Sequence, residues 1–412
     1  MLRALRGLLV RTKCTSSEEQ SMEFPQAVKH SMRLDLLARV KTLAPLLAAN
    51  ARRTDEEGLI PQENLDALRQ ADLLALGRPS KYGGLETDLR TLLEVQVAIA
   101  ESCGSTSWVA GLGNVSSFLL GLFPAEAQED VWGMDKDSRA AVVVSPAGSS
   151  ATKVADGWRI SGKWRYASGS EHAQWAVVGV SAPADGGKPD IGLALVPMSE
   201  VRIERNWNVT GLCGTGSNTM VLDNVFVPSH RQLSYQAAVA GEAPTPYDTD
   251  AHPLYRTPFS AIFNLCIAAT PVGLAKAAVK LAIATAPKQI IPIIGVRQSE
   301  APSIQIIVAN AACTADSAEL HLFRAAAAAD QAALLGMPQS PLDVARSDAD
   351  RVMAARYAIE AVRLIVKAQM SSVHSKTNPM QLIWRDCEMA ASHFAFADLH
   401  LEAYGKAMFN QQ

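Results

Sequence analysis

The chain has 412 residues, 48% of them hydrophobic, and a formal net charge of −3 at pH 7. That length buries a large core and should divide into two or three domains, while the near-neutral balance offers no basic face for nucleic acid or anionic lipid. Six cysteines (Cys14, Cys103, Cys213, Cys266, Cys313 and Cys387) show no C-x-x-C pairing, which argues against a zinc site or a disulfide framework and fits a reducing compartment.

The opening residues MLRALRGLLVRTKC carry Arg3, Arg6, Arg11 and Lys13, with no acid before Glu18. They read either as an organellar transit peptide or as the product of an upstream start, with Met22 or Met32 beginning the folded protein. The second reading is preferred, which makes residues 1–24 a flexible extension and the location cytoplasmic. A helical domain is expected over 25–140. LDLLARVKTLAPLLAANARRTDEEG has apolar residues at helical spacing, and PQENLDALRQADL is a helix with proline in its first turn. After the turn KYGG, the stretch from Thr87 to Pro124 reads as two buried helices broken at the Gly-Ser cluster.

Near residue 140 the texture changes to short β-rich runs such as AAVVVSP, GWRISGKWRYASGS, QWAVVGVSA, IGLALVP and TMVLDNVFVP. A small β-barrel is expected over 141–240. From 241 to 412 the chain returns to long alanine-rich helices that suit a bundle. The charge-free stretch from Thr257 to Ala275 is long enough to tempt a membrane assignment, but Pro258, Asn264 and Pro271 favour a buried core helix. The fold class is α+β: helices, then β, then a helical bundle.

The glycine-rich run WNVTGLCGTGSNT, residues 207–219, lies between β segments. A dinucleotide fingerprint needs its glycines between a strand and a helix, and a Walker loop needs G-K-[ST]; neither is present. No metal site is expected, since the histidines do not cluster with carboxylates or cysteines.

With the nine residues that follow, this run resembles the middle-domain signature of the acyl-CoA dehydrogenase superfamily, and more narrowly its flavin-dependent monooxygenase branch, the oxygenase components of two-component systems. CGSTSW at 103–108, SGKWRYASGS at 161–170 and PMQLIWRDCEMAASH at 379–393 agree with it, in the right order. The resemblance implies an N-terminal helical domain, a middle β-barrel and a C-terminal bundle. It also implies a homotetramer, a separate NAD(P)H-dependent flavin reductase, reduced FMN or FAD, and O2 that reacts through a C4a-hydroperoxyflavin to hydroxylate an aromatic or nitrogen-containing small molecule.

The same resemblance assigns roles. Ser168 would hydrogen-bond flavin N5 and O4, with Tyr166 packing the ring. Ser145 would face the pyrimidine, Trp207 would wall the cavity, and Gly214, Thr215, Gly216 and Ser217 would let the cofactor approach backbone N–H groups. Arg297 would reach a flavin phosphate, often across a subunit interface, and Gln305, on the following helix, would take part in cofactor binding. Trp108, Asn114, Ser116 and Phe394 would line the substrate pocket. His393 stands where commoner relatives keep a glutamate base, and would move the substrate's proton as base or acid. Two alternatives remain: an acyl-CoA dehydrogenase-type enzyme, for which that base is missing, and a silent binding protein on the same fold.

Overall fold

The computed structural model describes residues 16–182, 190–243, 246–291 and 293–410, with side chains from residue 29 onward except that of Asp190. The basic leader therefore lies outside the described residues.

Five helices come first among the described residues: α1 Ser16–Glu57, α2 Gln62–Gln70, α3 Leu89–Ala100, α4 Gly104–Gly121 and α5 Ala125–Trp132. Pro61 is the N-cap of α2 and stands just outside its first turn. Asp88 caps α3 by accepting the Thr91 N–H at 2.7 Å. The two helices read between Thr87 and Pro124 are α3 and α4, parted at residues 101–103; the short α5 carried no periodic signal long enough to read.

Among the described residues eight strands follow: β1 Ala140–Val143, β2 Ser149–Val154, β3 Gly157–Ala167, β4 Trp175–Ala182, β5 Asp190–Pro197, β6 Arg202–Glu204, β7 Asn218–Pro228 and β8 Gln232–Ser234. They form two four-stranded sheets, ordered β1-β4-β5-β8 and β2-β3-β7-β6. Among the described residues only β1 and β4 pair in parallel; the other pairs are antiparallel. Alternate side chains of both sheets meet in one core around Ile160, Trp164, Val178, Val196 and Met220.

After α6 (Tyr235–Ala240) comes α7, Phe259–Thr285, which runs unbroken through Pro271. Helices apolar enough to cross a membrane include only Phe259–Lys288 among the described residues, and 83% of its most apolar window is buried. A two-residue hairpin, β9 Ile290–Ile291 and β10 Val296–Arg297, leads into α8 Pro302–Leu335 and α9 Pro341–Gln369. Small residues bring these helices close: a Cβ on Gly273 of α7 would sit 2.3 Å from the Val97 carbonyl of α3. The last helical stretch of the bundle is broken into α10 Pro379–Ala391 and α11 Leu399–Phe409. His393 caps the 3-10 turn between them.

Candidate active site

The glycine-rich loop is a joint between domains. A Cβ on Gly211 would come within 2.1 Å of the Arg385 carbonyl in α10, and one on Gly214 within 2.1 Å of Thr54 Cγ2 in α1. Asp386 of α10, buried, accepts the Leu212 N–H at 2.7 Å. Burial pushes the Asp386 carboxyl up to about 7. Arg385 closes the joint with a bidentate pair to Asp55 at 2.7 and 3.1 Å and a bond to the Thr210 carbonyl. Gly211 and Gly214 thus serve the approach of protein to protein, and the expected exposure of Gly214 to a cofactor is corrected by Thr54 lying against it. Gly216, at φ 51°, is a left-handed turn residue.

That turn delivers two hydroxyls to the end of β3. Thr215 Oγ1 donates to the Leu212 carbonyl at 2.8 Å, Thr215 and Ser217 hydroxyls lie 2.7 Å apart, and Ser217 and Ser168 hydroxyls also lie 2.7 Å apart. Trp108 Nε1 of α4 donates to Ser168 Oγ at 3.2 Å. A hydroxyl has one proton, so the fixed ends set the whole polarity. Thr215 spends its proton on Leu212, Ser217 must donate to Thr215, and Ser168 must donate to Ser217. Ser168 Oγ is left with a lone pair and no proton for any further partner.

Beside it, a register shift between Trp164 and Ala167 ends the regular pairing of β3. Tyr166 takes a left-handed φ of 64° and turns its ring outward, 68% exposed, edge-on to Trp207 at 6.0 Å between centroids. Trp207 is half-buried and donates Nε1 to the Leu212 carbonyl at 3.1 Å. Core filling explains neither ring.

At the other edge of Trp108 stands His393, with ring centroids 6.2 Å apart. His393 Nδ1 accepts the Ala395 N–H at 3.1 Å, so the neutral ring carries its proton on Nε2. Burial, then the charge of Arg351, holds the His393 pKa below its ordinary value. His393 is exposed on one side although protein crowds the ring. Glu388, the nearest earlier carboxylate, is held by Arg363 at 2.8 and 2.9 Å and by Trp384 Nε1 at 3.0 Å.

Other sequence candidates are engaged elsewhere. Asn114 is buried and fully used: its Oδ1 accepts the Leu76 N–H at 2.8 Å and its Nδ2 donates to the carbonyls of Leu73 and Ala110. Ser116 donates to the Gly113 carbonyl at 2.8 Å inside the core. Asn114 ties α4 to the 73–76 turn and Ser116 bonds back to its own helix; both are buried on all sides of a helix packed all round, so neither lines a pocket as expected. Ser145 is exposed and accepts the Ala147 N–H at 3.3 Å, a turn cap. Phe394 is exposed and meets His400 edge-on. Arg297 and Gln305 lie by the β9–β10 hairpin, next to a small separate core of Ala301, Ile304 and Ala368, and Gln305 donates to the Ser299 carbonyl at 2.9 Å. Within one chain they do not join Ser168. Arg351, one turn-face of α9, was missed; nothing in its flanking sequence distinguishes it from a solvated arginine. Among the described residues no group of histidines, cysteines and acids is arranged to hold a metal.

Comparison with known proteins supplies a family. A family model described as acyl-CoA dehydrogenase, N-terminal domain, matches residues 38–134, and one described as acyl-CoA dehydrogenase, C-terminal domain, matches 265–398. The chain is 34% identical over 387 residues to the FADH(2)-dependent resorcinol hydroxylase, oxygenase component, of Rhizobium sp. (strain MTP-10005), covering 90% of this chain and 93% of that one. It is 33% identical over 363 residues to the flavin-dependent monooxygenase, oxygenase subunit HsaA, of Rhodococcus jostii (strain RHA1), covering 87% and 94%. Among solved structures, XiaF from Streptomyces sp. in complex with FADH2 and glycerol superposes with a TM-score of 0.86 at 30% identity, covering 93% of this chain and 97% of that one.

Proposed function

We propose, for a chain that belongs to the flavin-dependent monooxygenase branch of the acyl-CoA dehydrogenase superfamily, that Ser168 and Tyr166 hold a reduced flavin while His393 holds the oxygen of the substrate. The protein is an oxidoreductase, the oxygenase component of a two-component system: it takes reduced flavin, FMN or FAD, from a separate reductase and uses O2 to hydroxylate an aromatic substrate. Reduced flavin supplies the two electrons that split dioxygen, one oxygen atom passing to the substrate and the other leaving as water.

The residues present fit such a ring. Its reduced form carries a proton on N5, and Ser168 Oγ, whose own proton is committed to Ser217, can only accept. Ser168 therefore keeps the N5 proton in place, and that ordered chain of hydroxyls is the observation that carries the reading. Tyr166 and Trp207 offer an open aromatic edge against which a planar ring can pack. Trp108, buried between Ser168 and His393, keeps water from the space between them. His393, with its proton on Nε2, donates a hydrogen bond to a phenolic or ring-bound oxygen and steadies negative charge there; the deprotonating role drawn from the sequence is set aside, because Nδ1 is taken by Ala395.

The acyl-CoA dehydrogenase alternative lacks a base in the same place, since Glu388 is locked to Arg363 and Trp384. A homotetramer remains part of the proposal: Ile290, Ile293 and Ile294 are exposed on the hairpin beside Arg297, which supports a subunit contact that brings Arg297 and Gln305 to a neighbour's flavin phosphate.

The test is anaerobic titration of the protein with reduced FMN and reduced FAD, followed by admission of O2 with a panel of phenols. Tight binding of one reduced flavin and transfer of oxygen into a phenol carry the reading. Reoxidation as in free solution, with all oxygen recovered as hydrogen peroxide, sinks it.

A further inference from the structure

Arg351 of α9 is buried, with a side chain 1% exposed. Among the described residues none makes a hydrogen bond of good geometry to its Nε, Nη1 or Nη2. Asp348 Oδ1 lies 2.8 Å from Nη1 but off the N–H direction, and is itself one-third open to solvent. Asp348 thus supplies the charge partner at Nη1, while Nε and Nη2 stay buried without any partner, which is costly unless further acceptors meet them.

The cavity it lines, about 80 Å³, lies between the start of α7 and the helices α8 and α9. Asn264, Gln339 and Ser347 share the wall with the Asp348 carboxylate, while the Ser260 hydroxyl there already donates to the Val239 carbonyl. The volume suits a carboxylate and a water or two, since a single water needs roughly 10–15 Å³ by this measure. The helix that carries Arg351 borders the turn of the candidate catalytic residue, although His393 itself does not line the cavity. α9 packs against the turn Phe394–Phe396 that His393 caps, and the Arg351 charge is felt by both His393 and His400. His400 Nε2 is a second buried nitrogen without a partner.

We infer that Arg351 and the donors around it form the binding site for a carboxylate carried by the aromatic substrate, so that the enzyme prefers aryl carboxylates to neutral phenols. The inference rests on the monooxygenase reading for the word substrate, but the anion site itself does not. Arg suits the task because its planar fork takes both carboxylate oxygens at once. On binding, the ligand replaces Asp348 at the guanidinium, and Asp348 turns to the solvent it already faces.

Isothermal titration of the flavin-free protein with 3-hydroxybenzoate, phenol and acetate reads the site without any turnover. The wild type is expected to bind 3-hydroxybenzoate at least about tenfold more tightly than phenol, the worth of one charge-assisted bidentate contact, and to bind acetate weakly. Arg351→Met should bring that ratio to about one with phenol binding kept. Asp348→Asn should raise the ratio by removing the competing carboxylate. Ser347→Asp, which adds a second carboxylate to the cavity beside Asp348, should abolish the preference; it decides the matter should Arg351→Met fail to fold. Equal binding of 3-hydroxybenzoate and phenol by the wild type, a ratio unmoved by Ser347→Asp, or acetate binding as tightly as 3-hydroxybenzoate would each overturn the inference. Tight carboxylate binding without hydroxylation of any bound aromatic would instead count against the monooxygenase reading and leave the anion site standing.

Discussion

The indole N–H of Trp108 donates to Ser168 Oγ across 3.2 Å. Because the same ring lies 6.2 Å from His393, centroid to centroid, one buried side chain of α4 sets the spacing between the proposed flavin contact at the end of β3 and the proposed substrate contact beyond α10. Three separate segments of the chain must fold together before either residue has its neighbour.

Ser168→Ala removes the acceptor for the N5 proton. Reduced-flavin binding should weaken about five- to tenfold, the usual worth of one hydrogen bond at a buried site. The fraction of oxygen released as hydrogen peroxide should rise. Ser217→Ala leaves the oxygen of Ser168 in place but frees its proton to rotate, so peroxide release should rise less while flavin affinity changes little. Peroxide assays with both variants check the order; a larger effect of Ser217→Ala would mean that the hydroxyl chain does not act through Ser168.

His393 should titrate below its unfolded value near 6.5. Its depressed folded pKa means that the neutral ring adds stability above that value, and the contribution is lost as pH falls through the folded pKa. Turnover should therefore be flat from pH 7 to 8.5 for a substrate that does not itself ionise there. In Arg351→Met the His393 pKa should rise toward the ordinary value, since one of its two depressing causes is gone. Proton–nitrogen NMR titration of His393 reads both the pKa and the Nε2–H tautomer. His393→Ala should lower kcat by about 10²-fold, within the range of a lost proton donor.

Asp386→Asn should stabilise the protein at pH 8. With a folded pKa near 7 against an unfolded value near 3.8, the buried carboxyl favours the fold at low pH, and that contribution is lost as pH rises through 7. Asparagine keeps an oxygen for the Leu212 N–H and cannot ionise. Melting curves should show the variant above the wild type at pH 8 and the gap closing toward pH 4. A lower Tm for the variant at pH 8 would mean that Arg385 holds the carboxylate charged.

Gly214→Ala should cost about 1–3 kcal/mol, because its Cβ would overlap Thr54 in a packed joint. Thr54→Ser, which deletes the nearest overlapping methyl, should recover part of the loss. A Gly214→Ala variant with full stability and impaired flavin binding would return that glycine to the cofactor.

Much of the architecture is written in local pattern. Period-3.6 apolar spacing marked α1, α3, α8 and α9, and turn-bounded β runs marked β3 and β7, because each rule acts over a few residues. Between α10 and α11 the apolar residues continue in phase, and the capping of the 394–396 turn by His393 Nδ1 is what stops the helix. Asn114 and Ser116 were misassigned. Both are small polar residues on an apolar helix, and sequence does not say which face of α4 meets the 73–76 turn and which meets a cavity.

By itself, the sequence determined the order of helices, sheets and bundle, the family, and the identity of Ser168 and His393 as residues to watch, since motif and periodicity are properties of neighbours along the chain. Only the tertiary structure decided the direction of the hydroxyl chain, the tautomer of His393, the use of Gly211 and Gly214 as packing surfaces, and the burial of Arg351 without a hydrogen-bond partner. Each of these depends on an atom from a segment far away in sequence or on the geometry of a turn, and hydrogen-bond direction and desolvation exist only once those atoms are a few ångströms apart.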